Sequence, residues 1–236
     1  MCGRFNVTSD PMTSLFMDLV GEAFPGEDNH NTSPMSKAWI IRPEREAQPH
    51  EDYSLEAANA QWWLIPSWAK ERSSKYSMFN ARSETLRKSP AFRGPFKSRR
   101  CLVPISGFYE WVNRNGIKQP YYISDGVQAG MLLAGIWDRW WKSEGVFLDS
   151  FAIVTTAVVP DLKFIHHRQP VILDRERAME WVNLSTESSR LAELCQPQLP
   201  YDLSVKPVSE YVNSTRNKGP GCLEVIGDEI RVSATG

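Results

Sequence analysis

Cys101-Leu102-Val103-Pro104-Ile105-Ser106-Gly107-Phe108-Tyr109-Glu110-Trp111-Val112 is the stretch on which the fold turns. It is rich in branched and aromatic residues and lacks a helical apolar period. The pattern predicts a β-strand over 101–112, with Cys101 buried where it starts. Glu110 interrupts it. Strict alternation puts Phe108, Glu110 and Val112 on one face, where a carboxylate costs energy unless it is hydrogen-bonded or used.

Outward from this strand the chain reads as a series of others: 2–7, 39–41, 59–64, 120–124, 130–138 and 150–155. Asn115-Gly116 and Asp125-Gly126 are hairpin dipeptides between them. Residues 24–37 read as loop and 43–52 as a polar turn. A helix is expected over 11–19 with Asp10 as its cap, another over 174–183 capped by Asp174, and a third over 185–196. Residues 201–209 and 222–227 close the chain as strands. The result is an α+β, β-rich single domain with peripheral helices. It lacks the strand–helix alternation of a dinucleotide fold and has no glycine-rich phosphate loop.

Composition agrees with one domain. The chain has 236 residues, 42% of them hydrophobic, which excludes low-hydrophobicity disorder. The start, Met1-Cys2-Gly3-Arg4-Phe5, is no secretion signal, and no apolar run approaches the ~20 residues that span a bilayer. The expected home is the cytoplasm or nucleoid, with no membrane partner. Cys2, Cys101, Cys195 and Cys222 form no C-x-x-C pair, so neither a local zinc site nor a disulfide framework is expected. The net charge of -1 conceals a segregation. Residues 70–100 carry +8 and the rest of the chain -9. Trp62, Trp63, Trp68, Tyr76, Phe79 and Asn80 lie in or beside the basic stretch. Positive charge next to stacking platforms suits single-stranded nucleic acid; a solvated basic face is the plainer alternative.

Cys2 is the sharpest chemical feature. Were Met1 removed, its α-amine, titrating near ~8, and its thiol, near ~8.5, would sit on adjacent carbons. Such a pair condenses with an aldehyde to a five-membered thiazolidine, which an interior cysteine cannot do. Three other segments stand out: Phe79-Asn80-Ala81-Arg82-Ser83-Glu84-Thr85, the strand around Glu110, and Phe164-Ile165-His166-His167-Arg168-Gln169-Pro170. His167 reads as structural or surface.

Together these segments resemble the SOS response-associated peptidase (SRAP) family. The likeness rests on MCGRF at the start, N-x-x-P at Asn31–Pro34, W-x-x-x-P-x-W at Trp62–Trp68, FNARSET at 79–85 and C-x-P-x-x-GFYEW at 101–111. It continues in VTTA at 154–157, H-x-R-x-P at His166–Pro170 and PVS-x-x-VN-x-x-x-N at Pro207–Asn217. The resemblance implies a central barrel-like sheet, an SRAP-like domain over 2–225 and a short tail over 226–236. It implies a protein that senses abasic sites in single-stranded DNA and at single-strand/double-strand junctions. The thiazolidine chemistry itself requires neither cofactor nor metal, and a monomer is the default expectation, since the sequence does not read the oligomeric state. An exposed Cys2, freed by autocatalytic loss of Met1, would form the thiazolidine with the ring-opened sugar, and the adduct could be reversed.

By the same resemblance Asn80 would hold the aminothiol or sugar, Glu110 would be the general acid/base, and His166 would move protons at the sugar. Arg4, Arg82 and Arg168 would grip phosphates, Pro34 and Trp68 would guide bases, and Asn213 and Asn217 would order the last loop or contact backbone. Two positions depart from the family pattern: Trp63 stands where members commonly have Gly, and Gln169 where they have Met. Two other functions compete. Cys2, Glu110 and His166 also suit a thiol peptidase acting on protein substrates, and the basic aromatic stretch suits a non-covalent single-stranded DNA-binding module.

Overall fold

The computed structural model describes residues 2–44, 54–73, 76–114, 116–127 and 129–235. Most of the expected turn over 43–52, together with Met1, Lys75 and Asn115, lies outside the described residues.

The chain runs β1 (Arg4–Val7), α1 (Ser9–Leu19), β2 (Asn29–Thr32), β3 (Lys37–Pro43), β4 (Leu55–Trp62), β5 (Asn80–Arg82), a 3-10 turn (Ser83–Thr85) and α2 (Arg93–Ser98). It continues through β6 (Arg100–Ile105), β7 (Gly107–Arg114), β8 (Ile117–Asp125), β9 (Met131–Ser143) and β10 (Val146–Ala157). After a 3-10 turn at Pro160–Leu162 come β11 (Arg168–Pro170), β12 (Ile172–Leu173), α3 (Arg175–Val182) and α4 (Ser188–Leu194). β13 (Leu203–Pro207), 3-10 turns at Glu210–Asn213 and Pro220–Leu223, and β14 (Ile230–Val232) complete it.

The strands form two sheets. In the first, β10, β4, β3, β6 and β9 pair in that order and β9 pairs back to β10, closing a barrel. β5 and β11 extend it along β10, and β12 along β9. The second sheet has the order β14-β13-β8-β7-β1-β2. Mixed α+β architecture with a barrel-like centre is therefore as the sequence indicated. Among the described residues, no helix is long and apolar enough to cross a membrane.

The decisive stretch is two strands rather than one. β6 belongs to the barrel and β7 to the second sheet, and the chain changes sheet at Ser106. Ser106 N–H donates to the Asn6 carbonyl at 2.9 Å, and its hydroxyl accepts from Thr8 N–H at 2.9 Å. Gly107 is required beyond the corner, because a Cβ there would meet the Tyr122 ring at 2.4 Å.

Other expectations shift locally. The residue before α1 is Thr8, with Asp10 inside the first turn, where its charge suits the helix dipole. The 24–37 loop contains β2. Residues 222–227 are not a strand: they leave a 3-10 turn and make a single bridge, Val208 to Val225. The closing strand is β14, paired to β13. Asp174 caps α3 as expected, accepting from Arg177 N–H at 2.8 Å.

Packing redistributes the basic stretch. Arg100 is buried, donating to the carbonyls of Trp181 at 2.6 Å, Phe96 at 2.8 Å and Asn183 at 2.8 Å. Arg99 pairs with Asp138 at 3.1 Å. Lys70, Arg72, Arg82, Arg87, Lys88, Arg93 and Lys97 are the exposed cations of that segment among the described residues.

Candidate active site

The corner at Ser106 sends β7 along β1. Arg4 pairs with Tyr109 and Phe5 with Phe108, so the chain ahead of Arg4 runs out beside Glu110. From the barrel, β5 lies parallel to β10, with Asn80 opposite Ile153 and Arg82 opposite Thr155. Asn80 is buried, and its Nδ2 donates to the Cys2 carbonyl at 2.9 Å. That bond ties the N-terminus across the gap between the two sheets. Asn80 Oδ1 is buried with no hydrogen-bond partner among the described residues.

Cys2 is 0% exposed, which corrects the expectation of an exposed thiol. It joins the main apolar cluster, as a small weakly polar thiol readily does. Burial pushes its pKa far up, and the nearby Glu110 charge adds to the rise. In this state the thiol is protonated at neutral pH and only weakly nucleophilic.

Glu110 is 5% exposed. It points to the same side as the buried Phe108, as strict alternation requires. Desolvation raises its pKa, so it keeps its proton to higher pH than an ordinary glutamate. His166 shifts the opposite way. It lies in the loop before β11, half-buried, its ring stacked on the exposed His167 at 4.1 Å between centroids. Desolvation first of all pushes its pKa down to about 4. Arg168 N–H donates to His166 Nδ1 at 3.0 Å. Two titratable groups displaced in opposite directions, a carboxylic acid and a neutral imidazole, form a common acid–base pattern.

The residues expected to meet DNA divide into three groups. Arg82 is exposed on β5, and Trp68 is 66% exposed. The Trp68 loop is pinned on both sides: Ser67 N–H donates to Asp138 Oδ2 at 2.8 Å, and Trp140 Nε1 donates to the Ala69 carbonyl at 2.7 Å. Pro34 is half-buried and precedes Met35, whose φ of 74° turns the chain.

Arg4, Asn213 and Asn217 form a second group, bonded inside the protein. Arg4 Nη1 donates to Asn31 Oδ1 at 2.6 Å and the Val212 carbonyl at 3.0 Å, with its guanidinium 5.5 Å from the Trp111 ring centroid. Asn213 Oδ1 accepts from Trp111 Nε1 at 2.7 Å, and Asn217 Nδ2 donates to the Tyr211 carbonyl at 2.6 Å. Arg168 stands apart, with both terminal nitrogens on Glu84 at 2.5 and 3.0 Å. Asn31 and Glu84 are central to this arrangement, yet residue-by-residue reading passed over both. Their signal was membership of N-x-x-P and FNARSET.

Comparison with known proteins decides the family. Residues 1–215 match the SOS response associated peptidase (SRAP) family. The chain belongs to the SRAP family. It is 33% identical over 229 residues to abasic site processing protein YoqW of Bacillus subtilis, covering 95% of this chain and 99% of that protein. It is 34% identical over 221 residues to abasic site processing protein HMCES of Gallus gallus, covering 83% of this chain and 65% of that protein. Among solved structures, a Bacteroides thetaiotaomicron protein aligns with a TM-score of 0.72 at 23% identity, covering 96% of this chain and 98% of the other. That last likeness concerns the fold alone.

The two departures from the SRAP pattern are both accommodated. Trp63 lies against Phe79, ring centroids 5.6 Å apart, and its Nε1 donates to the Ser73 carbonyl at 3.3 Å. Gln169 is buried; its Oε1 accepts from Val159 N–H at 2.9 Å and its Nε2 donates to the Gln198 carbonyl at 3.1 Å. Gln169 therefore braces the 3-10 turn ahead of His166.

Proposed function

We propose that this SRAP chain senses abasic sites in single-stranded DNA and captures them covalently through Cys2 after removing its own Met1. The observation that carries this reading is the Asn80 amide on the Cys2 carbonyl, beside a buried Glu110 with a raised pKa. The names of the relatives, abasic site processing proteins, point the same way.

The chemistry proceeds in three steps. Water cleaves the Met1–Cys2 peptide bond, with Glu110 carrying protons, and frees the Cys2 amine. That amine adds to the aldehyde of the ring-opened deoxyribose, and the carbinolamine loses water to give an imine; Glu110 supplies the proton to the departing hydroxyl. The thiol then adds to the imine carbon and its proton passes to nitrogen, closing the thiazolidine. Two heteroatoms on one carbon make the product more stable than the imine, so the lesion is capped and strand breakage by β-elimination is suppressed. The same proton transfers in reverse release the protein. Asn80 holds the aminothiol end, while Arg82 and Trp68 take phosphate and base. The protein works as a monomer at damaged DNA in the cytoplasm or nucleoid, on single strands and single-strand/double-strand junctions.

A denaturing gel with an abasic oligonucleotide tests this. A denaturation-resistant band is expected with the matured protein and is expected to be absent with intact DNA and with Cys2→Ala. Binding that survives Cys2→Ala with no covalent band in wild type would leave a non-covalent binding module. Cleavage of added protein substrates that depends on Cys2 would restore the peptidase reading.

A further inference from the structure

Phe164 is an exposed aromatic beside the acid–base groups, and the three chemical steps leave it without a task. It lies in the loop between the 3-10 turn at Pro160–Leu162 and β11, two residues ahead of His166. Leu162 and Ile165 are 3% and 7% exposed and anchor that loop in the core, whereas Phe164 between them is 40% exposed. The backbone is held as well. Lys163 N–H donates to the Pro160 carbonyl at 3.1 Å and Ile165 N–H to that of Leu162 at 3.0 Å. Gln169 Oε1 fixes Val159 N–H, just before the turn, at 2.9 Å. Phe164 is therefore presented outward on a braced loop.

Its ring is oriented too. It meets the Tyr121 ring edge to face, with 6.4 Å between centroids and 87° between planes. Tyr121 stands opposite Glu110 in the β7–β8 pairing, and directly opposed residues project to the same face of a sheet. Tyr121 thus links Phe164 to Glu110, as the loop links it to His166. Trp68 is fastened elsewhere, through Asp138 and Trp140 of β9 in the barrel. A lone exposed aromatic is ordinary on a protein surface. One that its neighbours set beside both acid–base groups is placed to stack on a base.

We infer that Phe164 is a base-stacking residue, which receives the base on one side of the abasic sugar while Trp68 takes the base on the other. This deepens the proposed abasic-site reading and rests on it. An abasic nucleotide has lost its base, so its two neighbours lose the stacking that kept them in line. A ring against each of them replaces that support and holds the sugar between them at Cys2. Trp68 acts from the barrel, and Phe164 from the loop that leans on the second sheet. Stacking of this kind tolerates any sequence around the lesion, because every base has a π-face.

A fluorescent aminopurine, quenched when it stacks, tests this in oligonucleotides that carry it on either side of a tetrahydrofuran abasic analogue. The analogue has no aldehyde, so binding is read without crosslinking. Wild type is expected to quench both positions. Phe164→Leu, which keeps an apolar side chain over Tyr121, is expected to lose quenching at one position and Trp68→Leu at the other. Phe164→Leu should also bind about fivefold or more weakly, the lower end of what a lost stacking ring costs, with Tm near wild type. Phe164→Trp should restore both quenching and affinity. Full quenching and affinity in Phe164→Leu overturn the inference, whatever its Tm, because Phe164 then only covers Tyr121. Loss at the same position as Trp68→Leu overturns it as well. Adduct formation on a natural abasic site is followed in parallel. A wild-type adduct with unchanged quenching in Phe164→Leu sinks this inference alone. If wild type forms no adduct, the abasic-site reading fails, and quenching of aminopurine in an undamaged single strand decides whether Phe164 stacks on bases.

Discussion

Replacing Asn31 by Ala removes a side chain that ties both ends of the chain together. Asn31 is 0% exposed. Its Nδ2 lies 3.1 Å from the Val212 carbonyl, 3.0 Å from that of Ser214 and 2.8 Å from that of Asn217, while Oδ1 accepts from Arg4 at 2.6 Å. Nδ2 has two hydrogens for three acceptors, so it counts as two bonds. At about 1 kcal/mol for each neutral bond and about 1.5–3 kcal/mol for the charge-assisted one, the loss comes to about 4 kcal/mol. For a domain of this size that lowers Tm by roughly 8–16 °C. Urea titration reads it as a lower midpoint at unchanged slope. Asn31→Asp should be no better: it keeps the acceptor for Arg4 but sets a carboxylate oxygen against three carbonyls. A double-mutant cycle with Arg4→Ala should show strong coupling. A loss under about 1 kcal/mol for Asn31→Ala, with no coupling to Arg4, would refute the claim that Asn31 organises the last loop.

Two further outcomes follow from the same geometry. Glu110 has a raised folded-state pKa, so its protonated form contributes stability at low pH, and that contribution fades as pH climbs from the ordinary value of 4.5 through the higher folded value. Glu110→Gln keeps a neutral side chain at every pH, so its Tm relative to wild type should rise from acid to neutral pH; a flat difference would show that Glu110 is not desolvated. Arg82→Ala should weaken undamaged single-strand binding and reduce the log–log salt slope by about 0.7, the release expected for one phosphate contact, whereas an unchanged slope would remove Arg82 from the interface.

Sequence carried the fold class and the family well, and the joints poorly. The barrel strands were legible because their apolar patterns are long. The sheet change at Ser106 was not, because apolar residues continue on both sides and the corner depends on Asn6, Thr8 and Tyr122, all distant in sequence. β2 reads Asn29-His30-Asn31-Thr32, polar throughout, and becomes a strand only because β1 lies beside it and Asn31 finds its partners in the last loop. Residues 222–227 look like a strand by composition, yet Cys222 is buried from a 3-10 turn. At the site, alternation alone placed Glu110 on a buried face. It did not reveal that Cys2 is covered, that Arg4 is engaged by Asn31, or that Arg168 is held by Glu84, since each contact joins segments that only the fold brings together.

Covalent capture by a freed Cys2 is the central claim, and intact mass of the denatured complex tests it most directly. After incubation with an abasic oligonucleotide, the predicted species has the mass of the chain without Met1 plus the oligonucleotide, less one water. Borohydride should leave that mass unchanged once the thiazolidine has closed, because no imine remains to be reduced. A protein confirmed to begin at Cys2 that shows only its own mass and that of the free oligonucleotide would contradict the account.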